Sequence, residues 1–153
     1  MDITRSVLKD IWMVDDDEDD LLVFESVLNS LSPSTRFRAF TTGIDLLAQL
    51  SAETPDLIFL DLNMPGMNGH ECLRRIRGRG MHALPVIAFS GSDFGRVIDD
   101  SFSSGATMFL TKPMSMQQLS AQLTALFVLD WTDPGTIRRA QRQGERFVPF
   151  SAI

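Results

Sequence analysis

Residues 57–66 read Leu57-Ile58-Phe59-Leu60-Asp61-Leu62-Asn63-Met64-Pro65-Gly66. Four consecutive apolar residues, closed by a carboxylate and then by a Pro-Gly turn signal, describe a short strand buried on both faces that delivers Asp61 at its carboxyl end. Similar runs occur at Ile11-Trp12-Met13-Val14, Phe37-Arg38-Ala39-Phe40, Val86-Ile87-Ala88-Phe89 and Met108-Phe109-Leu110. Between them, apolar residues return every three or four positions: Leu21, Leu22, Phe24, Val27, Leu28 and Leu31, then Leu46, Leu47 and Leu50, then Leu73 and Ile76, then Val97, Ile98 and Phe102, and last Leu119, Leu123 and Leu126. Five strands alternating with five helical segments predict an α/β fold, a doubly wound five-stranded parallel sheet built from right-handed crossovers. Pro33, Gly43, Pro55, Pro85 and Gly105 fall between or at the ends of these segments.

The whole chain has 153 residues, of which 44% are hydrophobic and 22% charged. That is the composition of one soluble domain with a core large enough to need no covalent staple. The single cysteine, Cys72, cannot make an internal bridge and points to a reducing, cytoplasmic setting. No run approaches a membrane span, and Met1–Lys9 lacks the apolar centre of a secretory signal. A net charge of −6 argues against a nucleic-acid partner, because phosphate backbones are met by basic faces. Residues 1–126 carry 17 acids against 10 bases and residues 127–153 carry 3 against 4, which predicts a main domain over 1–126 and a tail over 127–153.

In a sheet of this kind, the loops beyond the carboxyl ends of the strands surround a ligand crevice. Strand one brings Asp15 and Asp16 there, strand three Asp61, strand four Ser90 and strand five Lys112. Lys112 and Lys9 are the only lysines in a chain that otherwise uses arginine.

Four segments in order, Val14-Asp15-Asp16, Leu60-Asp61-Leu62-Asn63-Met64-Pro65-Gly66, Phe89-Ser90-Gly91 and Thr111-Lys112-Pro113, with Gly105-Ala106 shortly before the last, resemble the receiver domain of two-component response regulators. The resemblance runs from about residue 10 to residue 126 and implies a flavodoxin-like strand order 2-1-3-4-5. It implies Mg²⁺ (or Mn²⁺) as cofactor, with Asp16 and Asp61 as direct ligands, the Asn63 main-chain carbonyl as a third and Asp15 acting partly through water. Mg²⁺ suits such a site, since it prefers hard oxygen ligands, keeps several waters and relieves the mutual repulsion of crowded carboxylates. Asp61 is then the nucleophile that takes a phosphoryl group from the phosphohistidine of a histidine kinase or histidine phosphotransfer protein. Lys112 is implied as a mobile point charge on the phosphoryl oxygens, and Ser90 as a hydroxyl donor to them. The resemblance further implies that movement of Ser90 toward the phosphate frees space near strand five, where Phe109, three residues before Lys112, holds the position at which the family often has a switching aromatic. Ser90 stands where threonine is also common, and Phe109 where tyrosine is frequent, so a switch at Phe109 works by packing alone. The resemblance also implies a cis Lys112-Pro113 peptide.

The implied role is that of a stand-alone signalling protein, not an enzyme on other substrates: it catalyses only its own phosphorylation and dephosphorylation and acts on a downstream protein target. Two rival readings are a receiver-like binding module that never uses phosphate and a Mg²⁺-dependent aspartyl phosphohydrolase. Against the latter, Asn63 stands where such hydrolases carry a second acid. Asp17 to Asp20 read as anions at a helix N-terminus, His70 and His82 as loop or surface histidines, and Cys72 as a small apolar filler on the third helix. The tail holds a turn signal at Asp133-Pro134-Gly135 and a short basic helix around Thr136–Gln143. Trp131, Phe147 and Phe150 are expected to dock on the domain's own surface or on a second copy as a homodimer, the alternative being a free tail.

Overall fold

Side chains along the central strands alternate between two buried apolar clusters. Ile11, Met13, Leu57, Phe59, Ile87, Phe89, Met108 and Leu110 enter one cluster; Trp12, Val14, Ile58, Leu60, Val86, Ala88 and Phe109 enter the other. This is the period of two of a pleated strand, and it explains the unbroken apolar runs, because both faces of the sheet are covered. The structure, a computed structural model, describes residues 8–151. Residues 1–7, which belong to the Met1–Lys9 stretch and to the expected 1–126 domain, lie outside the described residues, as do the last two of the tail.

The strands are β1 (Asp10–Val14), β2 (Arg36–Phe40), β3 (Leu57–Asp61), β4 (Val86–Ser90) and β5 (Met108–Thr111), all parallel, in the order β2-β1-β3-β4-β5. Helices α1 (Glu18–Leu31) and α5 (Met116–Phe127) cover the first face through Phe24, Leu28, Leu119 and Leu123. Helices α2 (Gly43–Leu50), α3 (Gly69–Gly78) and α4 (Gly95–Ser103) cover the second through Leu46, Leu73, Ile76 and Phe102. The chain reverses its winding between β1 and β3, which opens a crevice beyond the carboxyl ends of those two strands.

Local chemistry sets where the helices begin. Asp17, Thr42, Asn68 and Ser115 each accept a backbone N–H bond at the start of α1, α2, α3 and α5. Glu18, Asp19 and Asp20 occupy the first turn of α1, where the helix dipole favours anions. Cys72 is fully buried on α3, as expected of an apolar filler, and burial pushes its thiol up to about 11.

The tail differs from expectation in its details. A sixth helix, α6 (Pro134–Ala140), starts two residues before Thr136, because Asp133 caps it and Pro134 fits a first helical turn. The chain then forms a two-residue hairpin between β6 (Arg142–Gln143) and β7 (Arg146–Phe147), so the predicted helix over Thr136–Gln143 ends early. Gly144, at φ 65°, supplies the left-handed first corner of the turn. The docking expected of the tail aromatics is seen within the same chain. Trp131 and Ile137 are buried in the first cluster, Phe150 packs against it and Phe147 packs against the second. The Trp131 indole N–H donates to the Leu126 carbonyl at 2.8 Å.

Candidate functional site

Four segments converge at the crevice. Asp15 and Asp16 follow the last residue of β1, Asp61 is the last residue of β3, Ser90 the last of β4, and Lys112 follows β5. Asp15 and Asp61 are buried and Asp16 is exposed, so the acidic group runs from the interior to the mouth of the crevice. One carboxylate oxygen from each of the three lies within 4.8 Å of the others. The Lys112 ammonium enters from the side: its Nζ is 2.8 Å from Asp15 Oδ2, 3.2 Å from Asp20 Oδ2 and 3.6 Å from Asp61 Oδ1.

Backbone donors hold the carboxylates in place. The Asp17 N–H donates to Asp15 Oδ1 at 2.9 Å, and the Asn63 N–H to Asp61 Oδ1 at 3.1 Å. The second bond folds the loop after β3 back on itself, so that Asn63 sits beside the carboxylate two residues before it. Gly66, at φ 75° after Pro65, makes the turn that brings the chain to α3. Gly69 opens α3 against the backbone of Asp61: a Cβ there would lie 2.4 Å from the Asp61 carbonyl oxygen and 2.7 Å from Leu62 Cα. Gly69→Ala must therefore push α3 away from the strand end that carries Asp61, and thermal unfolding should show a loss of about 1–3 kcal/mol.

Burial is the main reason the Asp61 carboxyl is pushed up, to about 7; the Lys112 charge and the Asn63 N–H oppose this, while Asp15 adds to it. Burial alone would lower Lys112, but the hydrogen bond it donates to Asp15 and the charges of Asp61 and Asp15 hold it above its ordinary value. The crevice therefore keeps a fixed cation and a carboxyl that is reluctant to ionise. Three hard oxygen donors in this setting suit a small divalent cation, whose charge would offset the strain of ionising Asp61.

A pH dependence follows. In the folded protein without a cation Asp61 titrates near 7, above its ordinary 3.8, so the fold binds a proton there that the unfolded chain has already lost. Cation-free stability should fall as pH rises from about 4 to about 7 through this group. A divalent cation such as Mg²⁺ held by Asp61 would have to displace that proton, so its stabilising effect should be largest above pH 7 and fade below it. Thermal unfolding with and without Mg²⁺, a unit above and a unit below pH 7, measures this; a shift independent of pH would contradict it.

Ser90 is fully buried, and its Oγ accepts the Ser92 N–H at 3.2 Å. Phe109 is fully buried in the second cluster, one strand residue from Leu110 and on the sheet face opposite it. The sequence reading missed Asp20. Counted there among the helix-end anions, it also accepts from Lys112, because the Lys112 side chain that reaches Asp15 also comes within 3.2 Å of Asp20 in the first turn of α1. No cis peptide bond occurs among the described residues, so the implied cis Lys112-Pro113 bond is corrected: with that peptide trans, Lys112 still reaches Asp15. His82 is exposed and His70 half-buried, and neither belongs to the acidic group.

The profile of the response regulator receiver domain matches residues 11–124, and the chain belongs to that family. It is 31% identical over 111 residues to the DNA-binding transcriptional regulator NtrC of Salmonella typhimurium, covering 72% of this chain and 23% of that protein. It is 31% identical over 114 residues to the response regulator MprA of Mycobacterium tuberculosis, covering 71% of this chain and 47% of that one. The chain thus spans less than half the length of either relative. Among solved structures, the phosphorylated cyanobacterial phytochrome response regulator RcpA superposes with a TM-score of 0.71 at 26% identity, over 77% of this chain and 90% of that one. The BeF3-activated DrrB receiver domain superposes at 0.64 with 27% identity, over 80% and 98%. The Mn²⁺-bound form of response regulator Rcp1 superposes at 0.70 with 22% identity, over 80% and 96%, a likeness of fold. Receiver domains accept phosphoryl groups from histidine kinases. No helix among the described residues is long and apolar enough to cross a membrane.

Proposed function

We propose that Asp61 is the phospho-acceptor of this receiver domain and that Asp15, Asp16, Asp61 and the Asn63 carbonyl hold Mg²⁺ or Mn²⁺ beside it. The observation that carries this reading is the ammonium of Lys112 placed 2.8 Å from Asp15 and 3.6 Å from Asp61, in a crevice whose three carboxylates lie within 4.8 Å of one another. Bound there, the cation supplies positive charge to the transferring phosphoryl oxygens.

In the transfer, an Asp61 carboxylate oxygen forms a bond to phosphorus as the bond to the donor histidine nitrogen breaks. The electron pair leaves with the imidazole, which takes up a proton. Asn63 holds Asp61 Oδ1 through its N–H, which leaves Oδ2 to attack. Lys112 neutralises the phosphoryl group as it arrives, and Ser90 turns its hydroxyl from Ser92 toward a phosphoryl oxygen. That movement loosens the packing around Phe109, which converts a charge event into a change of shape. Residues 1–126 act as the receiver unit and 127–153 as its extension.

The donor is a histidine kinase or a histidine phosphotransfer protein, the readout a downstream protein target, and a cytoplasmic location goes with this role. Incubation with acetyl phosphate tests the reading: intact mass should rise by one phosphoryl group with Mg²⁺ present and stay unchanged when the cation is chelated. Labelling that ignores chelation, or none at all, contradicts it. A receiver-like module that never uses phosphate predicts the second result.

A further inference from the structure

The C-terminal extension crosses the outer edge of the sheet and grips the two elements beside Phe109. The Phe147 ring stacks on Phe102 of α4 at 4.0 Å between centroids and 9° between planes. The Arg138 guanidinium lies 5.2 Å from the Phe102 ring and 5.1 Å from the Phe147 ring, and it donates to the carbonyls of Phe102 and Ala106. Arg146 lies against Gly95, the first residue of α4, where an added Cβ would meet its guanidinium at 2.6 Å. On the other side, the Phe150 N–H donates to the Phe109 carbonyl at 2.8 Å, taking one of the bonds that edge strand β5 leaves open.

β5 therefore answers to both ends of the molecule. Its inner end leads into Lys112, which bonds the acidic crevice; the Phe109 carbonyl holds the extension; the Phe109 side chain packs in one cluster with Phe102 and Ile98. A phosphoryl dianion on Asp61 draws Lys112 from its bond with Asp15 and Ser90 from its bond with Ser92. The first pull acts at the end of β5 and the second at the end of β4 beside it, while the extension is fastened to β5 and α4.

We propose that residues 142–150 are a clamp that closes the edge of β5 and the adjoining face of α4 in the unphosphorylated protein, and that phosphorylation of Asp61 releases it. The clamp rests on the assignment of Asp61 as acceptor. Its grip is modest and separable from the core: Phe147 and Phe150 are only partly buried, and the hairpin has two residues per strand. That is the low-stability end of the structure, from which moving elements are drawn. The surface uncovered by its release is an edge-strand carbonyl beside an aromatic ring, a fit for an extended segment that brings its own aromatic and arginine.

Arg142 and Arg146 make the clamp a direct target for trypsin. Full-length protein is digested with and without beryllofluoride and Mg²⁺, a phosphoryl mimic, and cleavage after these two arginines is timed by mass spectrometry. Mimic binding is followed separately by the fluorescence of Trp12 and Trp131. Binding should speed cleavage by ~5-fold or more, the lower end of ordinary allosteric coupling, and Asp61→Asn should abolish the effect. Saturable binding with unchanged or slower cleavage overturns the clamp and leaves the acceptor assignment standing; no binding at all overturns both. Linkage supplies a second check. Phe147→Ala, or Arg138→Gln should Phe147→Ala fail to fold, should be cut quickly without the mimic. It should also bind beryllofluoride more tightly by the factor by which beryllofluoride speeds cleavage of the native chain. Equal affinity in the variant and the native protein overturns the proposal.

Discussion

Asp61→Asn should take up no phosphoryl group from acetyl phosphate while folding at least as well as the native chain. The amide keeps the shape and the acceptor oxygen for the Asn63 N–H, but its oxygen is a poor nucleophile and cannot form a stable acyl phosphate. The stability side of this expectation comes from burial. Because the native Asp61 carboxyl is pushed up to about 7, its ionised form strains the fold, and an uncharged amide removes that strain. Without Mg²⁺, Asp61→Asn should therefore melt higher than the native chain above pH 7 and about equally near pH 4, below which both side chains are neutral. Labelling by intact mass and melting curves across pH read the two effects separately. A variant that labels normally, or one that is destabilised at alkaline pH, contradicts the account.

The second large effect is expected at Lys112. Lys112→Ala removes the ammonium 2.8 Å from Asp15, leaving a fully buried carboxylate without its ion-pair partner. Breaking a buried pair by deleting one member costs about 3–5 kcal/mol. Here the open crevice lets water and a cation reach the group, so a loss near the lower end is expected without Mg²⁺, with much of it recovered when Mg²⁺ is added. Phosphoryl uptake should slow by about 10²–10³-fold, the usual effect of removing one charged group aimed at a transition state. Lys112→Arg separates the two roles. It keeps the charge and should keep the stability, but its planar fork cannot act as a compact point charge among three carboxylates, so uptake should remain slow. Stopped reactions quantified by mass, beside chemical denaturation with and without Mg²⁺, decide this; full activity in Lys112→Ala would remove the ammonium from the mechanism.

What the sequence made legible follows from its physics. Runs such as Leu57–Leu60 and Val86–Phe89 announce strands covered on both faces, and the two-cluster alternation of Ile11 to Val14 shows why they carry no polar residue. The convergence of Asp15, Asp16, Asp61, Ser90 and Lys112 follows from each lying at a strand's carboxyl end in a parallel sheet. The role of Asp20 was not legible, because its contact with Lys112 depends on the angle at which α1 leaves the crevice, and helix periodicity says nothing of that angle. The hairpin after α6 was hidden for another reason. Its strands have two residues each, too short for any alternation to register, and the local signal is Gly144 at the corner. The aromatic residues of the extension were conspicuous, but the surface they would choose was set by Phe102 and the open edge of β5, which lie far away in the chain.

The central claim is that one carboxylate, eased by a cation and by Lys112, accepts the phosphoryl group. Borohydride reduction of the protein after acetyl phosphate treatment in Mg²⁺, followed by peptide mapping, tests it most directly, because reduction converts only a phosphorylated aspartate to homoserine. The account predicts homoserine at position 61 and at none of Asp15, Asp16 or Asp20. Homoserine at one of those three with Asp61 intact would contradict it.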